Sequence, residues 1–66
     1  MDAQALFDIF KIAIENERAT HNLYMHAAAD APDAYTKKLF EELAAMELNH
    51  EKKLEKCYKE LKEKSS

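Results

Sequence analysis

Apolar residues recur at alternating spacings of three and four along two long segments of the chain. This period places them on one side of an α-helix. The pattern predicts a first helix over about residues 3–29 and a second over about residues 32–63. The first stripe consists of Leu6, Phe10, Ala13, Glu17, Thr20, Tyr24 and Ala27, and the second consists of Phe40, Leu43, Glu47, His50, Leu54, Cys57 and Leu61.

One short segment interrupts this pattern, around the single proline, Pro32. Glycine is absent, so the sequence offers few other places to turn. Because proline suits the first turn of a helix, the second helix is predicted to begin there, with Asp30 or Ala31 near its cap and the Asp33 carboxylate by its positive end. Asp2 is a suitable cap for the first helix. The sequence therefore predicts an all-α antiparallel hairpin that forms a single domain over residues 1–66.

The chain has 66 residues, and a core of that size rarely supplies more than about 3–5 kcal/mol of stability. Short chains therefore depend on a disulfide, a metal or a partner. Cys57 is the single cysteine, so no disulfide forms within the chain. We interpret Cys57 as a small core residue, because it lies on the second stripe and buried thiols are usually inert. A metal, a partner chain or both must supply the missing stability.

Ionisable residues interrupt both stripes near their middle, Glu17 in the first and Glu47 with His50 in the second. In an antiparallel hairpin these residues fall at similar heights. Because burying an unpaired carboxylate is costly, such groups must be neutralised, paired or bound to metal. Residues three apart on a helix point the same way, so Glu47 and His50 can reach one ion. Carboxylates with imidazole suit iron or manganese, and the sequence therefore predicts a metal centre.

A single hairpin offers two carboxylates and one imidazole, which is half of a known ligand set. Two hairpins related by a two-fold axis offer four carboxylates and two imidazoles. Di-iron four-helix bundles use one Glu from each of two helices and a Glu-x-x-His from each of the other two. The sequence therefore predicts a homodimer, or a larger even-numbered homo-oligomer, built as a four-helix bundle around a shared centre.

Two motifs carry a family resemblance. Within residues 13–24, Glu17 is followed seven positions later by Tyr24, and residues 40–50 read Phe-x-x-Leu-Ala-x-x-Glu-x-x-His. Neither motif is specific alone. In this order and with this spacing, the pair resembles the rubrerythrin branch of the ferritin-like superfamily, and the resemblance extends over about residues 6–61.

The resemblance implies roles for individual residues. Glu17 would be a terminal carboxylate ligand, Glu47 a bridging carboxylate and His50 a terminal nitrogen ligand. Tyr24 would hydrogen-bond a ligand carboxylate through its phenol, and the alternative is a core aromatic. The implied cofactor is two iron ions per dimer, with manganese or zinc as substitutes.

The chain also departs from a full-length rubrerythrin. Such a protein carries two helix pairs in one chain and the paired Cys-x-x-Cys motifs of a rubredoxin domain, whereas this sequence has one predicted pair and one cysteine. Rubrerythrins also use a carboxylate one turn beyond a helix glutamate, where this chain has Thr20. Turnover would therefore need a separate electron donor, and a peroxidase cycle with exchange of His and Glu ligands is not implied.

The predicted function is that of a non-haem di-iron protein that reacts with O2 or peroxide, as a ferroxidase or in peroxide reduction. No residue beyond the metal ligands is predicted to be catalytic, and the sequence leaves open whether turnover occurs. One alternative is iron storage or delivery without turnover, with Glu15 and Glu51 forming an acidic access route. The other alternative is a structural hairpin that dimerises or docks on a partner without metal.

Two further residues lie near the predicted centre. His21 follows Glu17 by four positions and could reach the rim of the site, although such a histidine is more often a polar flank residue. Glu51 lies one turn from Glu47. We interpret it as part of a solvated acidic face and as the best reserve ligand.

The charge pattern excludes other classes of function. The formal net charge is -3, and acidic and basic residues are interspersed, which argues against a nucleic-acid-binding surface. No apolar run approaches the ~20 residues that span a bilayer, so no membrane association is expected. The N-terminus lacks the basic start of a secretory signal. The default expectation is a cytoplasmic protein.

Overall fold

The computed structural model describes residues 1–65, so the last residue of the predicted domain, Ser66, lies outside the described residues. The described chain contains helix α1, Ala3–Asp30, and helix α2, Ala34–Ser65, with no strand. Ring contacts join Phe7 near the start of α1 to Tyr58 near the end of α2, so the helices are antiparallel. The hairpin measures 50 × 15 × 14 Å. The predicted all-α hairpin is therefore confirmed.

Helix α1 begins where the sequence places its cap. The side chain of Asp2 accepts a hydrogen bond from the backbone N–H of Ala5 at 2.7 Å. This bond satisfies one of the N–H groups that the first turn of a helix leaves without a partner. The predicted role of Asp2 is confirmed.

Helix α2 begins two residues later than predicted. Asp33 caps it, because the Asp33 carboxylate accepts from the backbone N–H of Thr36 at 2.7 Å and from the Thr36 hydroxyl at 3.1 Å. Pro32 lies before the helix, and the residue before it, Ala31, is held extended with ψ at 137°. The expectation of the Asp33 carboxylate at this helix end is confirmed, whereas the expectation of Asp30 or Ala31 near the cap is wrong, since Asp30 is the last residue of α1 and Ala31 has no capping side chain.

The two helices meet along a line that runs beside the predicted stripes. Of the described residues, Ile14 and Ala28 on α1 and Ala44 on α2 are buried. Ala44 is only 1 % exposed, and its small side chain lets the helix backbones approach closely. The stripe residues are mostly half-buried, because each helix of a hairpin has a neighbour on one flank only.

The expectation that Cys57 is a core residue is wrong, since its side chain is exposed. The next residue, Tyr58, turns towards α1 instead and packs edge-to-face on Phe7 and Phe10, with ring centroids 5.6 and 6.0 Å apart. The Lys62 ammonium lies 5.2 Å from the centroid of the Tyr58 ring. An aromatic side chain reaches across the interhelical gap at this height, and a thiol one residue earlier faces away from it.

Large apolar side chains remain exposed on one side of the hairpin. At 100° per residue, these side chains lie beside the predicted stripe of each helix, on the same side of the hairpin. Together with the two stripes they form one continuous apolar surface, which we call the open face. The exposed members of the open face are Ile9, Ile12, Leu23, Leu39 and Met46.

Within the part of the chain that the structure describes, neither α1 nor α2 contains a stretch long and apolar enough to cross a membrane.

Candidate metal centre

Three side chains converge in the middle of the open face. Glu17 projects from the centre of α1, and Glu47 and His50 project from one turn of α2, where a spacing of three places them on the same side. One oxygen or nitrogen atom from each residue lies within 4.8 Å of the others. Nδ1 of His50 is 3.4 Å from Oε2 of Glu17 and 3.6 Å from Oε2 of Glu47. The fold thus brings together the three residues that the sequence singles out as metal ligands.

The Glu17 carboxylate lacks part of the hydrogen bonding that a buried carboxylate needs. Its Oε2 atom is buried and has no hydrogen-bond partner among the described residues. Buried carboxylate oxygens are normally hydrogen-bonded or bound to a cation. The side chains of Glu17 and Glu47 are mostly covered, whereas His50 is 47 % exposed on the open face. The cluster is therefore a set of oxygen and nitrogen donors that suits a divalent first-row metal.

The electrostatics of the cluster point the same way. The pKa of Glu17 is raised, first because its carboxyl lies directly beside the Glu47 carboxyl, and then because of desolvation and the Glu47 charge. His50 opposes this rise, because its ring lies 3.4 Å from Oε2 of Glu17. Two neighbouring carboxylates favour a shared proton or a shared cation, so a bound divalent cation would stabilise the ionised form of both.

Tyr24 does not contact the carboxylates in the hairpin. Its ring packs at a 32° tilt on Phe40, with centroids 6.0 Å apart. Among the described residues its hydroxyl makes no hydrogen bond. The structure therefore gives it the position of an aromatic neighbour of the cluster, and its hydrogen bond to a ligand stays a prediction.

His21 lies outside the cluster and bonds to the opposite helix. Its ring atom Nδ1 is 2.9 Å from the backbone carbonyl oxygen of Ala44. Because a carbonyl only accepts, Nδ1 carries the hydrogen and donates it. The ring is thus engaged on the flank where the helices touch, away from the open face.

Glu51, the predicted reserve ligand, is engaged elsewhere. Its carboxylate accepts from Nε of Arg18 at 2.9 Å, and Arg18 also reaches Glu55 at 3.5 Å. The Glu51 side chain is only 14 % exposed, so its assignment to a solvated acidic face is wrong. The bond from Arg18 lowers the pKa of Glu51. Sequence reasoning missed Arg18, although the seven-residue spacing of Ala44, Glu51 and Tyr58 already marks the flank of α2 that meets α1.

A groove of about 450 Å³ lies on the opposite side of the hairpin, lined in part by Ile14, Arg18, Glu55 and Tyr58. It contains none of the three clustered residues. The cluster therefore lies on the other side of the hairpin from this groove, on the open face.

Fold and cluster together define a helical hairpin that presents a carboxylate–histidine cluster, whose donor atoms suit a metal ion, on an apolar face. The sequence model of the rubrerythrin family matches residues 8–66, and the chain belongs to that family. Members of this family generally bind iron. Neither the curated proteins nor the solved structures gave a match to this chain.

Proposed function

We propose that this chain is a non-haem di-iron protein whose metal centre is shared between two copies and reacts with O2 or peroxide. The convergence of Glu17, Glu47 and His50 on the open face carries this proposal. The Oε2 atom of Glu17 supports it: this buried atom accepts no hydrogen bond and has only the His50 ring at 3.4 Å, so a bound cation would satisfy it.

The ligand count supports a site shared by two chains. One hairpin supplies two carboxylates and one imidazole. A two-fold axis through the open face would supply four carboxylates and two imidazoles, which is the set used by ferritin-like di-iron bundles. The proposed loading is two iron ions per dimer, with manganese or zinc as substitutes.

The distribution of exposed apolar surface also supports a second copy of this chain as the partner. Only Ile14, Ala28 and Ala44 are buried among the described residues, which is a small core for an independent domain. Five exposed apolar residues lie on the face that carries the ligands, namely Ile9, Ile12, Leu23, Leu39 and Met46. Docking a second copy on that face would bury the exposed apolar surface and bring the two ligand clusters together.

The residues of the chain have separable roles in this centre. Glu17 and Glu47 would hold the positive charge, and neutral His50 would add a nitrogen donor on the open side. Aromatic and aliphatic neighbours, including Tyr24 and Phe40, would limit the access of water. Bound iron would supply the electrons for reduction of O2 or peroxide by cycling between ferrous and ferric states. Continued turnover would require a separate electron donor.

The test is iron content per chain, measured together with oligomer mass, on protein loaded with ferrous iron without oxygen. We expect about one iron per chain in an even-numbered oligomer, and rapid ferrous oxidation when O2 or peroxide is added. The triple variant Glu17→Ala, Glu47→Ala, His50→Ala should lose the iron. Glu15→Ala is the matched control, because Glu15 is an exposed carboxylate two residues from Glu17 on the same helix.

Other outcomes have defined meanings. A stable dimer without metal would contradict the proposal and favour a structural hairpin. Iron far above two per dimer would favour storage or delivery over turnover. Unchanged iron uptake in the triple variant would show that the metal binds elsewhere.

A further inference from the structure

We propose that His21 is a positioning residue for the metal centre, because its hydrogen bond to the Ala44 carbonyl sets the register between the two ligand-bearing helices. This inference rests on the proposed function. His21 itself stays outside the cluster, and it would act through the backbones that carry Glu17 and Glu47.

The hydrogen bond between His21 and Ala44 lies next to the proposed ligands along the axis of the hairpin. His21 is one turn after Glu17 on α1, and Ala44 is one turn before Glu47 on the antiparallel α2. The 2.9 Å contact therefore joins the two helices within one turn of both carboxylates. A slip of one residue moves a helix by about 1.5 Å along its axis, whereas a working site tolerates about 0.5 Å.

The kind of bond suits a positioning role. The acceptor is a main-chain oxygen, so the bond constrains the helix itself, whereas a side-chain acceptor could rotate away. Ala44 is nearly fully buried and carries only a methyl group, which lets the His21 ring reach the backbone behind it. The ring is half-buried and has few rotamers to lose. The bond is therefore a short and stiff connection.

A second cross-helix contact differs in just these respects. Arg18 follows Glu17 directly and bonds Glu51, which follows His50 directly. The Arg18 side chain is 55 % exposed, and both partners are long side chains. Glu51 is mostly covered, but the guanidinium of Arg18 is more than half exposed, so water and salt screen this ion pair in part. The more rigid control of register therefore falls to His21.

The first measurement is the tautomer of His21 in the metal-free protein, by long-range ¹H–¹⁵N NMR near neutral pH. We expect the neutral ring to carry its hydrogen on Nδ1, because that atom faces the Ala44 carbonyl. A neutral ring with its hydrogen on Nε2 would overturn the inference, and this measurement needs neither metal nor a variant.

The second measurement compares His21→Asn with His21→Leu. Asparagine can place an N–H close to the position of Nδ1, whereas leucine has a similar size and no donor. Cobalt(II) is the probe, and its visible absorption reports both affinity and coordination. We expect His21→Leu to weaken cobalt binding about 10-fold or more and to change the spectrum, as loss of a ligand-orienting contact does. His21→Asn should stay within about 3-fold of the wild type and keep its spectrum.

His26→Leu is the matched control, because His26 is an exposed histidine on the same helix. It should bind cobalt as the wild type does. If His21→Leu and His21→Asn lost cobalt affinity equally, the imidazole ring itself would be a ligand, and the positioning role would be overturned. Wild-type binding in His21→Leu would overturn it as well. Absence of cobalt binding by the wild-type protein would instead refute the proposed function.

Discussion

Nδ1 of His50 lies 3.4 Å from Oε2 of Glu17, across the gap between the two helices. The two residues are far apart in the sequence, and only the antiparallel pairing of α1 and α2 brings them into contact. The same nitrogen is 3.6 Å from Oε2 of Glu47 within its own helix. The centre therefore depends on helical spacing for one contact and on the packing of the hairpin for the other.

Replacing Glu17 with glutamine should stabilise the metal-free protein and abolish its stabilisation by metal. The neighbouring Glu47 carboxyl raises the pKa of Glu17, so the ionised pair is unfavourable without a cation. With chelator at pH 7, we expect Glu17→Gln to melt a few degrees above the wild type. Metal at about 100 times its Kd should stabilise the wild type by about 2.7 kcal/mol and leave the variant unchanged. Stability is followed by circular dichroism. If metal stabilised the Glu17→Gln variant as much as the wild type, the assignment of Glu17 as a metal ligand would be wrong.

Replacing Leu23 with aspartate should dissociate the proposed dimer. Leu23 is 63 % exposed and lies on the open face, where a second copy would cover it. We expect Leu23→Asp to be monomeric by analytical ultracentrifugation and to lose bound iron. Met25→Asp is the control, because Met25 is 47 % exposed but lies on the other flank of α1. If both variants remain dimeric, the open face is not the interface.

Removing the carboxylate of Asp33 should destabilise the hairpin in a pH-dependent way. The hydrogen bond from the Thr36 backbone lowers the pKa of Asp33 below its usual value. A group with a lowered folded-state pKa adds stability above its unfolded-state pKa of about 4, and that stability is lost as the pH falls through the folded-state value. We expect Asp33→Ala to lower Tm by about 5 °C at pH 7, with the difference shrinking below about pH 4.

The control for that experiment is Asp30→Ala. Asp30 is exposed at the C-terminal end of α1, where a negative charge is not favoured by the helix dipole. Its removal should leave Tm unchanged or slightly higher. A pH-independent loss in Asp33→Ala would show that the cap acts without its charge.

Truncating Tyr58 should destabilise the hairpin at the end where the start of α1 packs on the last turns of α2. Its ring packs on Phe7 and Phe10. We expect Tyr58→Ala to reduce the free energy of unfolding by about 2–3 kcal/mol in urea denaturation. Tyr58→Phe should change it by less than about 0.5 kcal/mol, because the ring makes the contacts. Tyr35→Ala is the control, since Tyr35 is 82 % exposed; a loss there as large as in Tyr58→Ala would argue against the ring cluster.

Local sequence signals predicted the features that one helix can encode. The spacing of the stripes predicted two helices, and the Asp2 carboxylate predicted the start of α1. The start of α2 was misjudged because proline and aspartate give competing signals within the same turn. The capping bond from Thr36 to Asp33 decides between them.

The contacts between the two helices were harder to predict from the sequence than the helices themselves. Cys57 and Tyr58 are adjacent, and the stripe pattern favoured the wrong one of the pair. A helical stripe spans a wide arc, and the pattern does not say which edge of that arc meets a neighbour. The Arg18–Glu51 ion pair and the His21 bond to Ala44 escaped prediction for the same reason.

By itself the sequence determined the helices and the hairpin, and it singled out the three residues that the fold brings together. Helical periodicity is local, so residue spacing alone places Glu47 beside His50 and sets Glu17 on the stripe of the other helix. Only the tertiary structure decided which flank of each helix is covered. Packing α1 on α2 buries one flank of each helix, at Ile14, Ala28 and Ala44. It leaves apolar side chains of the open face exposed around the three clustered residues. Side-chain packing between helices is a property of both surfaces at once, and neither helix encodes it alone.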